Sequence, residues 1–250
     1  MPWALAAPVE AASINRLNRL YDALDAVPVE AARAFMQLGL RGEAGNRSDR
    51  MALERADSLI SLIPDLWEVV ATRVDSIAIL DAADSCFDVS HSDPAWPGLI
   101  LVSIPPPTSV GDLRLAEGII HEAMHHHLSA FEANIALVGS LQKMYSPWKG
   151  CERPVGGVLH GIYVFGCIAE ALRQWLDKEC LDRQQSLHAK SRIAEIGEEL
   201  LLIDHEALLA TLTDAGQYVH MLALNAVQWA DSAQSTHSVS GIPAHPLPRT

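Results

Sequence analysis

The sequence predicts a mainly α-helical fold with a small β-sheet beside one long helix. Three observations lead to this prediction. Over most of the chain, apolar residues recur at intervals of three and four, which places them on one face of a helix. Two short segments, 76–80 and 98–104, are instead rich in β-branched residues, as strands are. A long helical pattern then runs from residue 112 to about residue 137.

The first third of the chain is predicted to form three helices. Apolar residues at helical spacing mark the first, over 14–24. Pro28 precedes the second, over 29–36, in agreement with the preference of proline for the first turn of a helix. The third covers 49–62 and is expected to end near Pro64.

The second half of the chain is also predicted to be helical. A loop over 145–157 separates the long helix from three further predicted helices, at 158–178, 187–202 and 206–230. The tail over 231–250 is rich in Ser, His and Pro and is predicted to be disordered. We therefore expect a single helix-rich domain over 1–230, with helices flanking the small sheet on both sides.

Composition and charge limit the classes of partner. The chain has 250 residues, 49% of them hydrophobic and 20% charged, a balance typical of a globular protein. The formal net charge of −13 repels phosphate backbones and anionic lipids. We therefore expect neither nucleic acid nor a membrane as a partner. A homo-oligomer stays open, because the apolar N-terminal helices could pair between chains.

The cysteines and the N-terminus predict a cytoplasmic location. Cysteines stand at 86, 151, 167 and 180 without a C-x-x-C pair, so we expect free thiols in a reducing compartment. No apolar run reaches the roughly 20 residues of a membrane span. The N-terminus lacks the basic segment of a secretory signal.

An H-E-x-x-H pattern at 121–125 predicts a metal centre on the long helix. Positions i and i+4 of a helix lie about 40° apart on one face, so both imidazoles can reach one ion at ~2.1 Å. Glu122 can lie beside that ion, and in zinc peptidases this carboxylate activates the metal-bound water. The alternative is a helix with histidines on a partly solvated face. His126 and His127 point away from the motif and are predicted to lie near the ligands or at the surface.

A catalytic metal centre needs a third protein ligand, and two residues compete for this place. One class of zinc peptidases has a glycine and a third histidine where this chain has Leu128 and Phe131, so that class is excluded. Glu170 would supply a carboxylate from a later helix. His160 stands at the start of that helix, where the preceding loop can fold it onto the metal. We favour His160 and keep Glu170 as the alternative.

Further segments carry a resemblance to a known family. Tyr-Ser-Pro-Trp-Lys stands at 145–149, Arg-Pro at 153–154 and Leu-His-Gly-Ile-Tyr-Val-Phe at 159–165. Over about residues 75–180, the chain resembles the HExxH-motif peptide-modification proteins of ribosomal peptide natural product (RiPP) biosynthesis. This family includes iron(II)- and 2-oxoglutarate-dependent peptide β-hydroxylases. The resemblance implies a zincin-like metal helix used for oxygenase chemistry.

The resemblance implies an iron(II) site formed by His121, His125 and His160. Three protein ligands on one side of the ion leave three positions for 2-oxoglutarate and dioxygen. The implied activity is that of a dioxygenase that hydroxylates a side-chain β-carbon in a ribosomally made precursor peptide. Glu122, the candidate catalytic carboxylate, would then orient the ligands or bind the substrate.

The anionic cosubstrate would also need a fixed cation. By the same resemblance, Arg153 is expected to bind the distal carboxylate of 2-oxoglutarate, with a side-chain hydroxyl as a second donor. The candidates for this hydroxyl are Tyr145, Ser146 and Tyr163. Lys149 stands where the family pattern has arginine, which leaves its role open. The alternative for Arg153 is a structural salt bridge in a loop.

Two other functions stay open at this point. A zinc metallopeptidase would use Glu122 as the general base, and it could act on the leader part of a peptide. A catalytically silent peptide-binding protein would keep the metal helix only as structure. Composition does not separate these alternatives, because neutral imidazoles bind both iron and zinc.

Overall fold

The computed structural model describes residues 1–5, 19–25, 27–80 and 88–235, which are mainly helical with a small mixed sheet. This confirms the predicted fold class at that level. The described helices are α1 (Val29–Gln37), α2 (Arg47–Ile60), α3 (Pro64–Arg73), α4 (Ser109–Glu132), α5 (Val155–Asp177), α6 (Arg183–Leu201), α7 (His205–Leu209) and α8 (Asp214–Ser235). The strands are β1 (Gly42–Glu43), β2 (Ser76–Leu80), β3 (Ser90–Ser92), β4 (Leu99–Val102), β5 (Lys143–Ser146) and β6 (Cys151–Pro154).

The main sheet has the strand order β1-β2-β4-β3. β2 and β4 run parallel, and both outer strands are antiparallel to their neighbours. β4 is buried along its whole length because both faces of the sheet are covered. Ile100 and Val102 belong to the main hydrophobic core, which includes α4, whereas Leu99 and Leu101 pack with Phe35 of α1. β3 is the outer strand next to β4, and it contacts α4.

The long helix α4 begins directly after three prolines. The Thr108 hydroxyl accepts a hydrogen bond from the Gly111 amide at 2.9 Å and so caps the helix. Helices α2, α3 and α5 and the sheet surround α4. Its buried apolar residues include Leu113, Ile119, Ile120, Met124 and Leu128. This packing gives the histidines of the H-E-x-x-H pattern a rigid support.

Helix α5 is long and apolar enough to cross a membrane, by length and composition alone, and its mean hydropathy reaches 1.6. In the fold, however, 72% of its most apolar window is buried inside the protein. Trp175 is fully buried, and its indole N–H donates to the Leu59 carbonyl at 2.9 Å. α5 therefore packs as a core helix against α4, α6 and α8.

The N-terminal region differs in part from the sequence prediction. Most of the predicted helix over 14–24 lies outside the described residues, and its described end forms a 3-10 helix, Leu20–Ala23. A helix that the sequence does not predict, α3, follows α2 after a short turn. Pro64 occupies its first turn, where a backbone N–H is not needed. The proline that ends one predicted helix therefore begins the next.

The loop predicted over 145–157 is instead the end of a β-hairpin followed by the first turn of α5. β5 and β6 pair antiparallel, with Ser146 opposite Cys151. Gly150 adopts a left-handed φ of 61°, which closes the turn between the strands. The hairpin brings the residues after Ser146 back to the N-terminal end of α5.

Two helix boundaries in the C-terminal half are also corrected. α4 ends at Glu132 rather than near Leu137, and the helix predicted over 206–230 is divided into α7 and α8. The segments that follow α4 and α7 are hydrogen-bonded to each other. The Thr213 amide donates to the Leu137 carbonyl at 3.0 Å, and the Gly139 amide donates to the Thr211 carbonyl at 2.8 Å.

Two other predictions fall partly outside the described residues. α8 continues to Ser235, past the predicted boundary of the disordered tail, and residues 236–250 lie outside the described part. Cys151, Cys167 and Cys180 are free thiols, as predicted, whereas Cys86 is not among the described residues.

The crossing of α5 and α8 leads to a stability prediction. A Cβ at Gly166 would lie 2.8 Å from the Ala223 backbone oxygen on α8. We expect Gly166→Ala to lower the free energy of unfolding by about 1–3 kcal/mol in urea denaturation, because α8 must move. Gly197→Ala is the matched control. Apart from its chain neighbours and its own helix backbone, no described atom lies within 4 Å of that added Cβ, so helix propensity should raise the free energy of unfolding by up to about 1 kcal/mol. A stabilised Gly166→Ala variant would contradict the described crossing.

Candidate metal centre

The three histidines predicted as metal ligands line one cavity of about 630 Å3. α4 contributes His121 and His125, which stand one helical turn apart. α5 contributes His160 from the facing helix. Residues 90–92 of β3 form another wall, and the β5–β6 hairpin closes the cavity on the side of α5. The fold therefore brings together side chains that are far apart in the chain.

Two pairs of imidazole nitrogens have the spacing that a shared ion requires. The Nε2 atoms of His121 and His125 are 3.2 Å apart. The Nδ1 atoms of His125 and His160 are also 3.2 Å apart. Two nitrogens that each lie ~2.1 Å from one ion are about 3.0–3.4 Å apart, depending on the angle between them. Each pair thus has the separation that a bound ion requires.

The three rings do not converge on one point, however. His125 turns Nε2 toward His121 and Nδ1 toward His160, and one ion would contact only one of these two nitrogens. In agreement, the described residues contain no group of three or more His, Cys, Asp or Glu side chains arranged to hold a metal ion. Neutral imidazoles suit iron(II) or zinc by their chemistry, but in the described geometry the nitrogens have the spacing of a shared ion only two at a time.

Burial favours the neutral, metal-binding form of the α4 histidines. It lowers the pKa of His121, although the nearby Glu122 carboxylate opposes this shift. For His125, burial and then the neighbouring His121 and His160 hold the pKa well below its ordinary value. Because imidazole must be neutral to bind a metal, both side chains are electrostatically suited to the predicted role.

Glu132 is a residue of the site that the sequence analysis missed. Its Oε2 atom accepts a hydrogen bond from the Nε2 atom of His160 at 2.7 Å. This bond leaves the Nδ1 atom of His160 as the free electron-pair donor, and metal-binding histidines are usually oriented in this way. Glu132 follows His125 by seven residues, which is two helical turns on the same face of α4. That spacing is the signal that could have revealed it.

Glu122 is buried and holds β3 against α4. Its two carboxylate oxygens accept hydrogen bonds from the Ser90 hydroxyl at 2.6 Å and from the Ser92 hydroxyl at 2.5 Å. Its Oε1 atom also lies 3.9 Å from the Nε2 atom of His121. The sequence analysis did not identify the two serines, although their spacing of two places them on one face of a strand. Glu122 thus lies beside the histidines with both oxygens engaged.

Two cationic side chains, Arg153 and Lys149, line the cavity. The Arg153 guanidinium lies against Gly157 of α5, where an added Cβ would be 3.5 Å from Cζ. Its positive charge is among the causes that lower the pKa of His125. In the described part of the chain, no carboxylate lies within ion-pair distance of either cation. The alternative of a structural salt bridge for Arg153 is therefore not found among the described residues.

Of the three hydroxyl candidates, only Ser146 lines the cavity. Adjacent residues of a strand point to opposite faces, and Tyr145 is accordingly 47% exposed on the outside of the hairpin. Tyr163 is fully buried in the core, with its hydroxyl 4.0 Å from the Met124 sulfur. The structure thus places neither tyrosine at the cavity.

Glu170, the alternative third ligand, does not reach the cavity. It is buried further along α5, where it accepts hydrogen bonds from the Arg173 guanidinium at 2.6 and 2.9 Å. His126 is buried beside the site and donates to the Leu99 carbonyl at 3.1 Å. His127 is also buried and accepts from Arg73 at 3.2 Å. Among the candidates, the geometry therefore places His160 next to the H-E-x-x-H pair. His126 also lines the cavity and His127 does not, but both are buried and neither lies at the surface.

Comparisons with known proteins leave the function open. No protein-family model matches this chain, and a search of curated proteins finds no significant match either. The function is therefore inferred from the arrangement of the side chains around the cavity.

Proposed function

We propose that this protein is a cytoplasmic, iron(II)- and 2-oxoglutarate-dependent oxygenase, built on a zincin-like metal helix, that hydroxylates a side-chain β-carbon in a ribosomally made precursor peptide. One observation carries this proposal. The Arg153 guanidinium lines the same cavity as three imidazoles and has no acidic partner among the described residues. Hydrolysis of a peptide bond can proceed without such a cation, whereas a bound anionic cosubstrate needs one.

The histidines supply the ligand set for this role. His121, His125 and His160 would hold the iron and leave positions open for the cosubstrate. When bound, iron(II) with 2-oxoglutarate and dioxygen would supply the oxidising power to hydroxylate an unactivated C–H bond. Glu132 would keep His160 in the tautomer that offers Nδ1 to the metal.

Arg153 and Ser146 would bind the cosubstrate. A guanidinium binds a carboxylate through two parallel N–H groups, and the Ser146 hydroxyl lines the same cavity. Lys149 brings a second positive charge to the cavity wall. Glu122 and Glu132 line the cavity as well, so an anion would be held by direct contact with a cation and not by a net positive charge of the site.

The peptide substrate is supported by the position of β3. This outer strand of the described sheet contributes Ser90, His91 and Ser92 to the cavity wall. An outer strand can pair with an extended peptide and hold one of its side chains in front of the ligands. Glu122 would then act by holding β3 on α4 through the two serines.

The second candidate function is a zinc metallopeptidase, and one observation favours it. The Glu122 carboxylate lies 3.9 Å from the Nε2 atom of His121, close enough to polarise a water molecule on a metal held there. The third candidate function is that of a catalytically silent peptide-binding protein.

The decisive experiment is anaerobic reconstitution with iron(II), followed by titration with 2-oxoglutarate. We expect a metal-to-ligand charge-transfer band in the visible region that disappears on exposure to oxygen, with formation of succinate. A protein that shows neither the band nor succinate but binds zinc and cleaves peptides would be the peptidase. If none of these activities is found, the result would support the function of a catalytically silent peptide-binding protein.

Glu122→Gln separates the two enzymes further. In the oxygenase, we expect succinate formation to stay within about tenfold of the wild type, because the amide preserves the shape of the contact with β3. A peptidase that loses its general base would slow by about 10²–10⁴-fold. The Ser90→Ala/Ser92→Ala double variant is the control. It removes both hydrogen bonds to Glu122, so it should lower succinate formation at least as much as Glu122→Gln does if Glu122 acts through β3. An effect confined to Glu122→Gln would contradict that role.

A further inference from the structure

We propose that Glu199, on α6, is a positioning residue for the metal centre and that it acts through Trp148 and Phe165 on the ring of His121. This inference rests on the proposed metal site. Glu199 does not line the cavity, whereas both aromatic residues do.

The indole of Trp148 is held from two sides. Its Nε1–H group donates a hydrogen bond to the Oε2 atom of Glu199 at 2.8 Å. Its six-membered ring packs on α5 at Gly161, where an added Cβ would lie only 2.5 Å from Cζ3. This contact requires glycine next to the ligand His160. Glu199 therefore determines where the indole lies along the surface of α5.

Phe165 transmits this position to His121. Its ring is stacked on Trp148, with centroids 4.8 Å apart and an interplanar angle of 21°. The same ring meets His121 edge to face, with centroids 5.3 Å apart and an angle of 70°. Both geometries are favourable arrangements of aromatic rings. If the indole moved, the Phe165 ring would lose its support. The His121 imidazole would then lose its contact with Phe165.

Arg192, also on α6, holds Phe165 from another direction. Its guanidinium carbon lies 5.3 Å from the centre of the Phe165 ring, within the range of a cation–π contact. Its Nη1 atom is 3.9 Å from the Glu199 carboxylate. This separation is longer than a hydrogen bond, so the indole is the direct connection between Glu199 and the aromatic pair.

His121 needs such a support more than His160 does. The tautomer of a metal-binding histidine is usually set by a hydrogen bond to its second ring nitrogen. Glu132 makes this bond to His160. For His121, the hydrogen bond found among the described residues is the one between its Nε2 atom and His125, which is on the metal side. Its orientation therefore depends on the contact with Phe165.

The test is titration of the full-length protein with cobalt(II) chloride, followed by the visible d–d absorbance. We expect Glu199→Ala to weaken cobalt(II) binding by about 3- to 10-fold, less than the 10- to 100-fold typical of residues that hydrogen-bond a ligand directly. The d–d spectrum should change because the His121 ring is less well oriented. Glu199→Gln keeps an acceptor for the indole and should restore both affinity and spectrum.

Glu195→Ala is the matched control. Glu195 lies on the same helix and pairs with Arg192 at 3.1 Å, but it does not touch Trp148. The Glu195→Ala variant should bind cobalt(II) as tightly as the wild type does. Thermal unfolding of each variant, followed by circular dichroism, confirms that the fold persists.

A double-variant cycle tests the path through the indole. Trp148→Phe removes the N–H donor and keeps an aromatic ring, so Glu199→Ala should have little further effect in this background. Additive effects of the two changes would overturn the proposed path. Wild-type cobalt(II) binding that Glu199→Ala leaves intact would overturn this inference alone, whereas a wild-type protein that binds no cobalt(II) would overturn the proposed function as well.

Discussion

His160→Ala is expected to reduce the affinity for iron(II) or cobalt(II) by more than about 100-fold, because it removes one of three ligands rather than a residue that orients one. The change also leaves the Glu132 carboxylate without its partner at 2.7 Å. A water molecule can replace the lost nitrogen, so residual binding through His121 and His125 should be weak and easily reversed. Anaerobic equilibrium dialysis with iron(II) measures this loss.

Glu170→Gln is the comparison that makes this result specific. Glu170 is the other third-ligand candidate from the sequence, but its carboxylate is hydrogen-bonded to Arg173. The amide should leave metal affinity at the wild-type value. Metal affinity lost in Glu170→Gln and retained in His160→Ala would contradict the described site and would require a different approach of α5 to α4.

Arg153→Leu is expected to raise the 2-oxoglutarate concentration needed for half-maximal succinate formation by about 10- to 100-fold. This range corresponds to the loss of hydrogen bonds to a charged group. Arg153→Lys should show an intermediate value, because it keeps the charge but not the planar fork. The iron(II) affinity, measured by the same dialysis, should change little in either variant, since Arg153 is not a ligand.

Lys149→Met tests the other cation of the cavity in the same assay. Lys149 lines the same cavity, and its charge is among the causes that lower the pKa of His121. If Arg153 binds the distal carboxylate, Lys149→Met should affect the 2-oxoglutarate requirement less than Arg153→Leu does. The opposite order would assign the carboxylate to Lys149 and would contradict the role proposed for Arg153.

Much of the fold follows from local patterns in the sequence. Residues 76–80 are predicted as a strand and form β2, and the second predicted strand contains β4. Pro28 correctly marks the start of α1. These patterns are reliable because alternation and helical spacing depend on neighbours a few residues away.

The incorrect boundaries have a common physical origin. Pro64 begins α3, although a proline is equally compatible with the end of the preceding helix. The division between α7 and α8 depends on the hydrogen bond from Thr213 to Leu137, which are distant in the chain. The hairpin around Gly150 depends on the pairing of two short strands with little hydrophobic pattern of their own. No local periodicity contains this information.

For the site, the sequence by itself determined the pair His121 and His125, because the helical repeat alone places them on one face. It also identified His160 and Arg153 as candidates, but it left Glu170 and three hydroxyl groups as competitors. Only the tertiary structure shows which of them line the cavity. The crossing of α5 over α4 and the direction in which each side chain leaves its helix or strand place His160, Arg153 and Ser146 at the cavity. The same packing adds Glu132 and the two serines of β3, since contacts between separate elements depend on how their surfaces fit together and not on the spacing within either one.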